Sequence, residues 1–369
     1  MIFFMSTFAL TLHAGYRCRS SGECCETWAV PAEPHVLHVV QARQIRRTGF
    51  HGALFVEAAS PRSGALWTTA RDEHGGCAFF DRTGGRLCAI HAAAGPDAMP
   101  GACRHFPRTI LRDARGTHIS LSHFCPTAAA LLFEPVRLAI VEVGPPLRPS
   151  EPIEGMDAAR ALPPLLRPGV LTDMEGYAAW EHASVGVLAR PDLRYQQALA
   201  VIAGATERVR RWQPGTSPLS YAVEDAFERT RSQPSTYSLD QSRAMRILRA
   251  ISPTGAQADL VHVEPFEQDW QRLVASSFAA FDRPMKNFLA ARLFGAWIAY
   301  QGQGLRSIVE WIRTCAALVR HFALQQARVT QSAPGLHEMV EAFRKTDLLL
   351  LHGADSRAFA REVLAIEGR

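Results

Sequence analysis

The cysteines restrict what this 369-residue chain can fold into more than any other feature, because seven of its eight cysteines lie in the first 125 residues. The seven are Cys18, Cys24, Cys25, Cys77, Cys88, Cys103 and Cys125. Cys315 stands apart, among apolar neighbours that predict a position in the core. Disulfide bonds, a metal or iron–sulfur site, and redox chemistry would each explain such clustering.

The N-terminal segment helps to decide between disulfides and a metal, since disulfides need an oxidising compartment. Residues 1–12 are apolar, but no basic segment precedes them and no small-residue cleavage site follows, so we expect no signal peptide. The alternation of Phe8, Leu10 and Leu12 predicts a first β-strand instead. We therefore expect a cytoplasmic protein, in which clustered cysteines favour metal ligation over disulfides.

Composition excludes several classes of function. Hydrophobic residues make up 47% of the chain and charged residues 20%, which is typical of a soluble globular protein. No stretch reaches the roughly 18 apolar residues of a transmembrane helix, and a net charge of +5 is too small to indicate nucleic-acid binding. Glycine-rich nucleotide loops are absent from the sequence. We expect the partner to be a protein substrate or another protein.

The chain divides by composition at a proline-rich linker, residues 143–154. Residues 14–142 predict a small, loop-rich cysteine domain, with a helix over 33–48 and short strands around 77–88 and near Ile119. Residues 155–369 predict an α-helical domain, including a helix capped by Thr172-Asp173 and one over 284–301. The expected fold class is mainly α. The aromatic residues expected in the helical core are Trp180, Trp212, Phe227, Trp297 and Trp311.

Four short segments carry the clustered cysteines: residues 16–28, 77–91, 99–108 and 121–127. The second resembles a hairpin with a cysteine on each arm. Thiolates bind zinc or an iron–sulfur cluster, and four sulfurs suffice for either. Seven cysteines can therefore serve one site with three to spare, or two sites helped by histidines. The histidines within three residues of a cysteine are His91, His105 and His123.

The segment Cys18-x-x-Ser21-Gly22-x-Cys24-Cys25 resembles the C-x-x-C-G-x-C-C signature of the YkgJ-type cysteine-cluster family of zinc- or iron-chelating proteins. The segments C-x-F-F-D, L-C-A-I-H, A-C-R-H-F-P-R and F-C-P follow in that family's order. Within the family, the chain is most similar to the flagellin lysine N-methylase (FliB-type) branch, through Trp28, Pro107-Arg108 and Leu121-Ser122. The resemblance is specific over residues 16–130 and loose beyond residue 150. Ser21 departs from the signature, which has a cysteine there.

The resemblance implies a 4Fe–4S cluster or zinc whose ligands are drawn from the seven cysteines, and transfer of a methyl group from S-adenosylmethionine to protein lysines. A lysine amine must lose its proton before it attacks. Nearby groups that can take the proton are Glu26, Asp81, His91 and His105, and the sequence does not choose among them. Arg104 and Arg108 are the candidates to bind the carboxylate of the methyl donor.

A non-enzymatic function is the alternative. In that case the cysteines hold a structural or regulatory metal, and the helical half binds a partner protein. A structural metal site has four protein ligands and no open coordination position. The sequence leaves the choice between enzyme and interaction module open.

Overall fold

The computed structural model describes residues 6–19, 21–27, 29–58, 66–83, 85–144, 155–231, 240–252 and 266–367. Helix is the main secondary structure, so the prediction of a mainly α fold is confirmed at that level. The chain forms two compact units. The cysteine unit comprises residues 17–108 and 125–127, and the helical unit comprises residues 1–16, 109–124 and 128–369. All seven clustered cysteines belong to the cysteine unit.

Ten short strands are present in the described chain. They are β1 (Thr7–Leu10), β2 (Pro31–Ala32), β3 (Phe55–Glu57), β4 (Trp67–Thr69), β5 (Arg108–Asp113), β6 (Gly116–Leu121), β7 (Ile140–Val143), β8 (Met156–Asp157), β9 (Leu165–Arg167) and β10 (Val170–Leu171). The cysteine unit has the three-stranded sheet β2-β4-β3, and β9 pairs with β10. The expected strand near Ile119 is β6, whereas the described part of residues 77–88 shows only isolated bridges.

A five-stranded sheet in the order β7-β1-β6-β5-β8 lies in the helical unit. Strand β1 confirms the predicted first strand and pairs in parallel with β6, with Thr7 opposite Thr117. Gly116 permits this approach, because a Cβ there would lie 2.3 Å from the Ser6 carbonyl oxygen. This pairing explains why residues 109–124 belong to the helical unit, although their composition groups them with the cysteines. The proline-rich residues 145–154 lie outside the described residues.

Seventeen α-helices follow the chain in its described parts. They are α1 (Thr11–Ala14), α2 (Glu23–Thr27), α3 (Pro34–Ala42), α4 (Ala89–Ala94), α5 (Gly101–His105), α6 (Pro126–Leu131), α7 (Met174–Leu188), α8 (Tyr195–Val209), α9 (Leu219–Arg231), α10 (Gln241–Ile251), α11 (Phe266–Leu273), α12 (Ala275–Phe278), α13 (Asp282–Leu293), α14 (Ile298–Gln301), α15 (Leu305–Thr330), α16 (Leu336–Asp347) and α17 (Ser356–Glu367). Among these helices, none combines the length and apolar character needed to cross a bilayer.

The helical unit packs around the 26-residue helix α15, which contacts α16, α13 and α10. Helices α7, α8 and α9 pack against one another beside it. Trp180, Phe227 and Trp311 are buried in this core, as predicted. Cys315 is fully buried there too, which confirms its predicted core position.

Trp212 and Trp297 are half-buried, which differs from the prediction that the core buries them, although Trp212 still packs against that core. Trp212 lies beyond the end of α8, where its indole N–H donates to the Ser217 carbonyl. Trp297 lies in a break that divides the helix predicted over residues 284–301 into α13 and α14. Gly295 in this break has a φ of +58°, which is outside the helical range.

Candidate metal centre

The adjacent cysteines Cys24 and Cys25 follow a tight turn at Gly22. Gly22 has a φ of +78°, and a Cβ there would lie 2.1 Å from the Phe80 ring. The backbone N–H of Cys25 donates to the Gly22 carbonyl at 2.8 Å, and helix α2 carries both thiols. Only glycine fits this turn, because the backbone conformation and the neighbouring ring both exclude a side chain.

The segment with Cys77 lies directly against the adjacent cysteines. The backbone N–H of Cys77 donates to the Cys25 carbonyl at 2.7 Å. Phe80 and Cys88 form an antiparallel bridge, and the Asp81 N–H donates to the Leu87 carbonyl at 3.1 Å. The predicted hairpin is therefore reduced to one bridge and a turn, and its residue Gly84 lies outside the described residues.

A buried carboxylate, Asp72, holds the loop that leads to Cys77. Its side chain accepts hydrogen bonds from Arg47 at 2.9 Å and Arg82 at 2.5 Å. It also accepts from the backbone N–H groups of His74 and Gly76, at 3.0 and 2.8 Å. Burial raises the pKa of Asp72, but these hydrogen bonds outweigh burial and hold the pKa well below its usual range.

The helix predicted over residues 33–48 is shorter in the structure, and this changes the position of Arg47. The residues Arg43, Arg46 and Arg47 form a compact basic group that is typical of a solvated helix face. Helix α3 ends at Ala42 instead, so Arg47 lies beyond it and reaches Asp72 and the Phe80 carbonyl, both at 2.9 Å. The basic group is therefore partly structural.

Cys88 and Cys103 are half-buried, and each is associated with a short helix. Cys88 precedes the first residue of α4, and Cys103 lies in α5. The Glu33 carboxylate accepts a hydrogen bond from the Gly101 N–H at 3.1 Å, which ties the start of α5 to the residue before α3. Cys25, Cys77 and Cys88 share one small apolar cluster with residues of α3 and α4.

Five thiols lie close enough for each to affect the ionisation of others. The five are Cys24, Cys25, Cys77, Cys88 and Cys103. The sulfurs of Cys24 and Cys25 are 4.0 Å apart, and this contact lowers the pKa of Cys24 and raises that of Cys25. Burial raises the pKa of Cys103 well above its usual value, and negative charge on the other thiols raises it further. Negative charge on one of these thiols therefore disfavours ionisation of its neighbours.

Arginines surround these thiols and supply positive charge. Arg71 donates to the Glu26 carbonyl at 3.0 Å, and its charge lowers the pKa of Cys77, opposing the larger effect of burial. Arg86 donates to the Ser21 carbonyl at 2.6 Å, at the position where the family signature has a cysteine. Arg71, Asp72, Arg82 and Arg86 belong to none of the cysteine motifs and were not predicted, although the Asp72-x-x-Gly75-Gly76 pattern is typical of a side-chain-stabilised turn.

The other two candidate ligands differ in exposure. Cys18 is exposed and Cys125 is buried. The eight cysteines form no disulfide bond in the described part of the chain. Within the described residues, no three His, Cys, Asp or Glu side chains are placed to hold one metal ion together.

The candidate proton acceptors occupy different environments. Glu26 forms an ion pair with Arg82 at 3.5 Å, and Asp81 accepts from the Thr83 N–H and hydroxyl, so both carboxylates serve local structure. His91 on α4 is exposed, and His105 at the end of α5 is buried.

Arg104 and Arg108, the candidate ligands of the methyl donor's carboxylate, and His123 lie in different parts of the fold. Arg104 is in α5, directly after Cys103, and Arg108 begins β5. Both side chains are half-buried. His123 lies in the helical unit, where its ring is fully buried beside Asp347 at 3.3 Å and His13 at 3.2 Å.

Comparison of the chain with family models, curated proteins and solved structures gives no match. The resemblance described in the sequence analysis therefore rests on the quoted motifs.

Proposed function

We propose that the cysteine unit binds an iron–sulfur cluster or a zinc ion through its thiolates, and that the protein is a protein-lysine N-methyltransferase that uses S-adenosylmethionine. The observation that carries the metal proposal is the proximity of the cysteine segments: the Cys24 and Cys25 sulfurs are 4.0 Å apart, the Cys77 N–H donates to the Cys25 carbonyl at 2.7 Å, and Cys25, Cys77 and Cys88 share one cluster. Five cysteines from three segments, residues 16–28, 77–91 and 99–108, supply sulfur donors of the kind that soft or borderline metals prefer.

The donor chemistry fits such a metal. Thiols with raised pKa values are protonated at neutral pH, and a bound cation replaces their protons. The ligands that we propose are Cys77, Cys88 and Cys103 with one of the adjacent pair Cys24 and Cys25. Successive side chains point in different directions, so one of the pair serves as ligand and the other lies beside it. The side chains must rotate to converge, because no three of them do so in the structure.

The charges around the thiols favour a cluster of net negative charge. Four thiolates contribute four negative charges, which exceed the charge of one zinc ion or of a 4Fe–4S core. Arg71, Arg82 and Arg86 contact residues of the segment that carries Cys24 and Cys25. Their positive charges would offset part of the excess negative charge.

The methyltransferase part of the proposal rests on the family resemblance. The lysine substrate would enter as an ammonium group and needs a group that accepts its proton. Arg104 and Arg108 would hold the carboxylate of S-adenosylmethionine through charge-assisted hydrogen bonds. We also propose that the protein works in the cytoplasm, where clustered cysteines favour metal ligation over disulfides.

Metal analysis of anaerobically purified protein tests the first part. We expect a brown protein with visible charge-transfer absorption for an iron–sulfur cluster, or a colourless protein with stoichiometric zinc. The double variant Cys88→Ser/Cys103→Ser should lose the metal and unfold at lower temperature, because metal-binding energy contributes to folding. Cys315→Ser is the matched control, since Cys315 is buried in the helical unit. Full metal retention in the double variant would refute the ligand assignment.

Methyl transfer is tested separately with metal-loaded protein, labelled S-adenosylmethionine and lysate of the host cell. We expect label on protein lysines, and loss of label when Arg104 and Arg108 are both replaced by glutamine. If the metal is intact but the donor does not bind and no lysine is labelled, the enzyme proposal fails. The alternative would then hold, in which the metal is structural and the protein is an interaction module.

A further inference from the structure

A side chain from the loop within residues 77–88 contacts the segment that carries the adjacent cysteines. This side chain is Arg86, whose Nε–H and Nη2–H groups donate to the Ser21 carbonyl oxygen at 3.0 and 2.6 Å. Because the guanidinium group is planar and rigid, two donors on one oxygen fix the direction of the contact as well as its length. Arg86 therefore joins two of the cysteine segments by a specific contact.

Two further contacts of Arg86 lie beside this one. Its guanidinium carbon is 5.6 Å from the centroid of the Phe80 ring, a distance at which the cation and the ring attract each other. Gly22 faces the same ring, since a Cβ there would lie 2.1 Å from it. The Arg86 Nη2 atom is also 3.8 Å from a carboxylate oxygen of Glu26. The contacts of Arg86 therefore reach both the turn before α2 and the helix itself.

The backbone of Arg86 adopts a conformation that few residues other than glycine adopt. Its φ is +56°, in the left-handed region, and Gly85 before it has a φ of +108°. A side chain in this region costs free energy, and such residues persist where surrounding contacts hold them, often at functional sites. For Arg86, the contacts with Ser21, Phe80 and Glu26 supply that compensation.

A short series of hydrogen bonds connects the Ser21 carbonyl with the thiols. Ser21 directly precedes Gly22, whose carbonyl accepts from the Cys25 N–H at 2.8 Å. The Cys25 carbonyl in turn accepts from the Cys77 N–H at 2.7 Å. A displacement of Ser21 would therefore displace the turn that places Cys25 beside Cys77.

We propose that Arg86 is a positioning residue for the proposed metal site, where its contact with the Ser21 carbonyl holds the adjacent cysteines in place and slows release of the bound metal ion. This inference rests on the proposed metal binding. Arg86 is not itself a ligand, because a guanidinium group has no acceptor atom. Its side chain is 47% exposed, so water competes for the contact. Loss of the contact should therefore speed release without abolishing binding.

Cobalt(II) is the probe, because it binds thiolates as zinc does and its thiolate charge-transfer absorption is visible. The full chain is loaded anaerobically, excess EDTA is added, and the decay of this absorption gives the release rate. Arg86→Met removes the charge and all donors, and Arg86→Lys keeps the charge without the planar fork. We expect release about fivefold faster in Arg86→Met and a smaller increase in Arg86→Lys. The absorption per bound cobalt should stay unchanged, since the ligands are the same.

The matched control is Arg43→Met, which removes an exposed arginine of the cysteine unit that donates to the Ala93 carbonyl at 3.3 Å. It should release cobalt at the wild-type rate. Melting temperatures are measured alongside, because a residue that only stabilises the fold would change them without changing release from the folded protein. If Arg86→Met does not fold, Arg86→Lys decides the result.

The inference is overturned if the folded Arg86 variant releases cobalt within about twofold of the wild-type or control rate, which is the range expected for an exposed contact of no consequence. It is also overturned if the absorption per bound cobalt falls, because the variant would then have lost a ligand. In both cases the metal proposal stands. If the wild-type chain binds no cobalt, the metal proposal fails and this inference fails with it.

Discussion

Replacing Asp72 tests how the cysteine unit holds the loop that presents Cys77. The Asp72 side chain is 2% exposed and accepts hydrogen bonds from two arginines and two backbone N–H groups. In Asp72→Ala these four donors lose their acceptor. Breaking a buried ion pair typically costs about 3–5 kcal/mol. The side chains of Arg47 and Arg82 are 18% and 25% exposed, so water can replace part of the lost interaction. We therefore expect Asp72→Ala to lower the free energy of unfolding by about 3 kcal/mol.

Asp72→Asn separates the two kinds of contact. The amide oxygen can still accept from the His74 and Gly76 N–H groups, but the negative charge beside Arg47 and Arg82 is lost. We therefore expect Asp72→Asn to lower the free energy of unfolding by about 1–2 kcal/mol, less than Asp72→Ala does. The pKa of Asp72 is lowered in the folded state. Its stabilising effect is therefore complete above the unfolded pKa of about 3.9, and is lost as the pH falls through the lower folded value.

Hydrogen exchange of the backbone amides in residues 71–82 measures this cost locally. A loss of about 3 kcal/mol corresponds to exchange more than about a hundredfold faster, since each 1.4 kcal/mol is a factor of about ten. Asp192→Asn is the control, because Asp192 pairs with Arg190 at an exposed site. Loss of this ion pair should not change amide exchange in residues 71–82 measurably. Exchange in Asp72→Ala within threefold of the wild type would refute the role assigned to Asp72.

Two further predictions concern the turn before the adjacent cysteines and the pH dependence of the helical unit. Gly22→Ala should destabilise the cysteine unit by about 1 kcal/mol more than Gly49→Ala does. Both glycines have a positive φ, but only Gly22 faces a buried ring. Equal melting temperatures for the two variants would contradict this prediction. Burial lowers the pKa of four histidines, so the unfolded chain binds more protons below about pH 6.5. Stability should therefore fall from pH 7 to pH 5 by at most about 1.4 kcal/mol per pH unit for each. These histidines are His13, His118, His123 and His352. Urea unfolding followed by tryptophan fluorescence checks the effect, and an unchanged midpoint at pH 5 would argue against it.

Local patterns in the sequence predicted the local structure well. Asp173 caps α7 as expected, with its carboxylate accepting from the Gly176 N–H at 2.6 Å. The alternation of Phe8 and Leu10 predicted β1, and the apolar neighbours of Cys315 predicted its burial. Each of these features depends on residues close together along the chain, where periodicity and capping determine the conformation.

The break between α13 and α14 shows where such reasoning fails. The apolar pattern over residues 284–301 favours one continuous helix, and no proline interrupts it after Pro284. The break at Gly295 is stabilised by Glu181, which is 114 residues away in sequence. A distant partner of this kind leaves no periodic signal around Gly295.

The sequence by itself determined that this protein has one cysteine-rich region and a mainly helical remainder, because composition and periodicity are properties of each segment alone. Only the tertiary structure decided which strands pair and which cysteines meet. The parallel pairing of β1 with β6 draws residues 109–124 into the helical unit. Asp72 turns an apparently solvated Arg47 into a structural contact. Both results depend on contacts between distant segments, whose free energy exists only once the chain has folded.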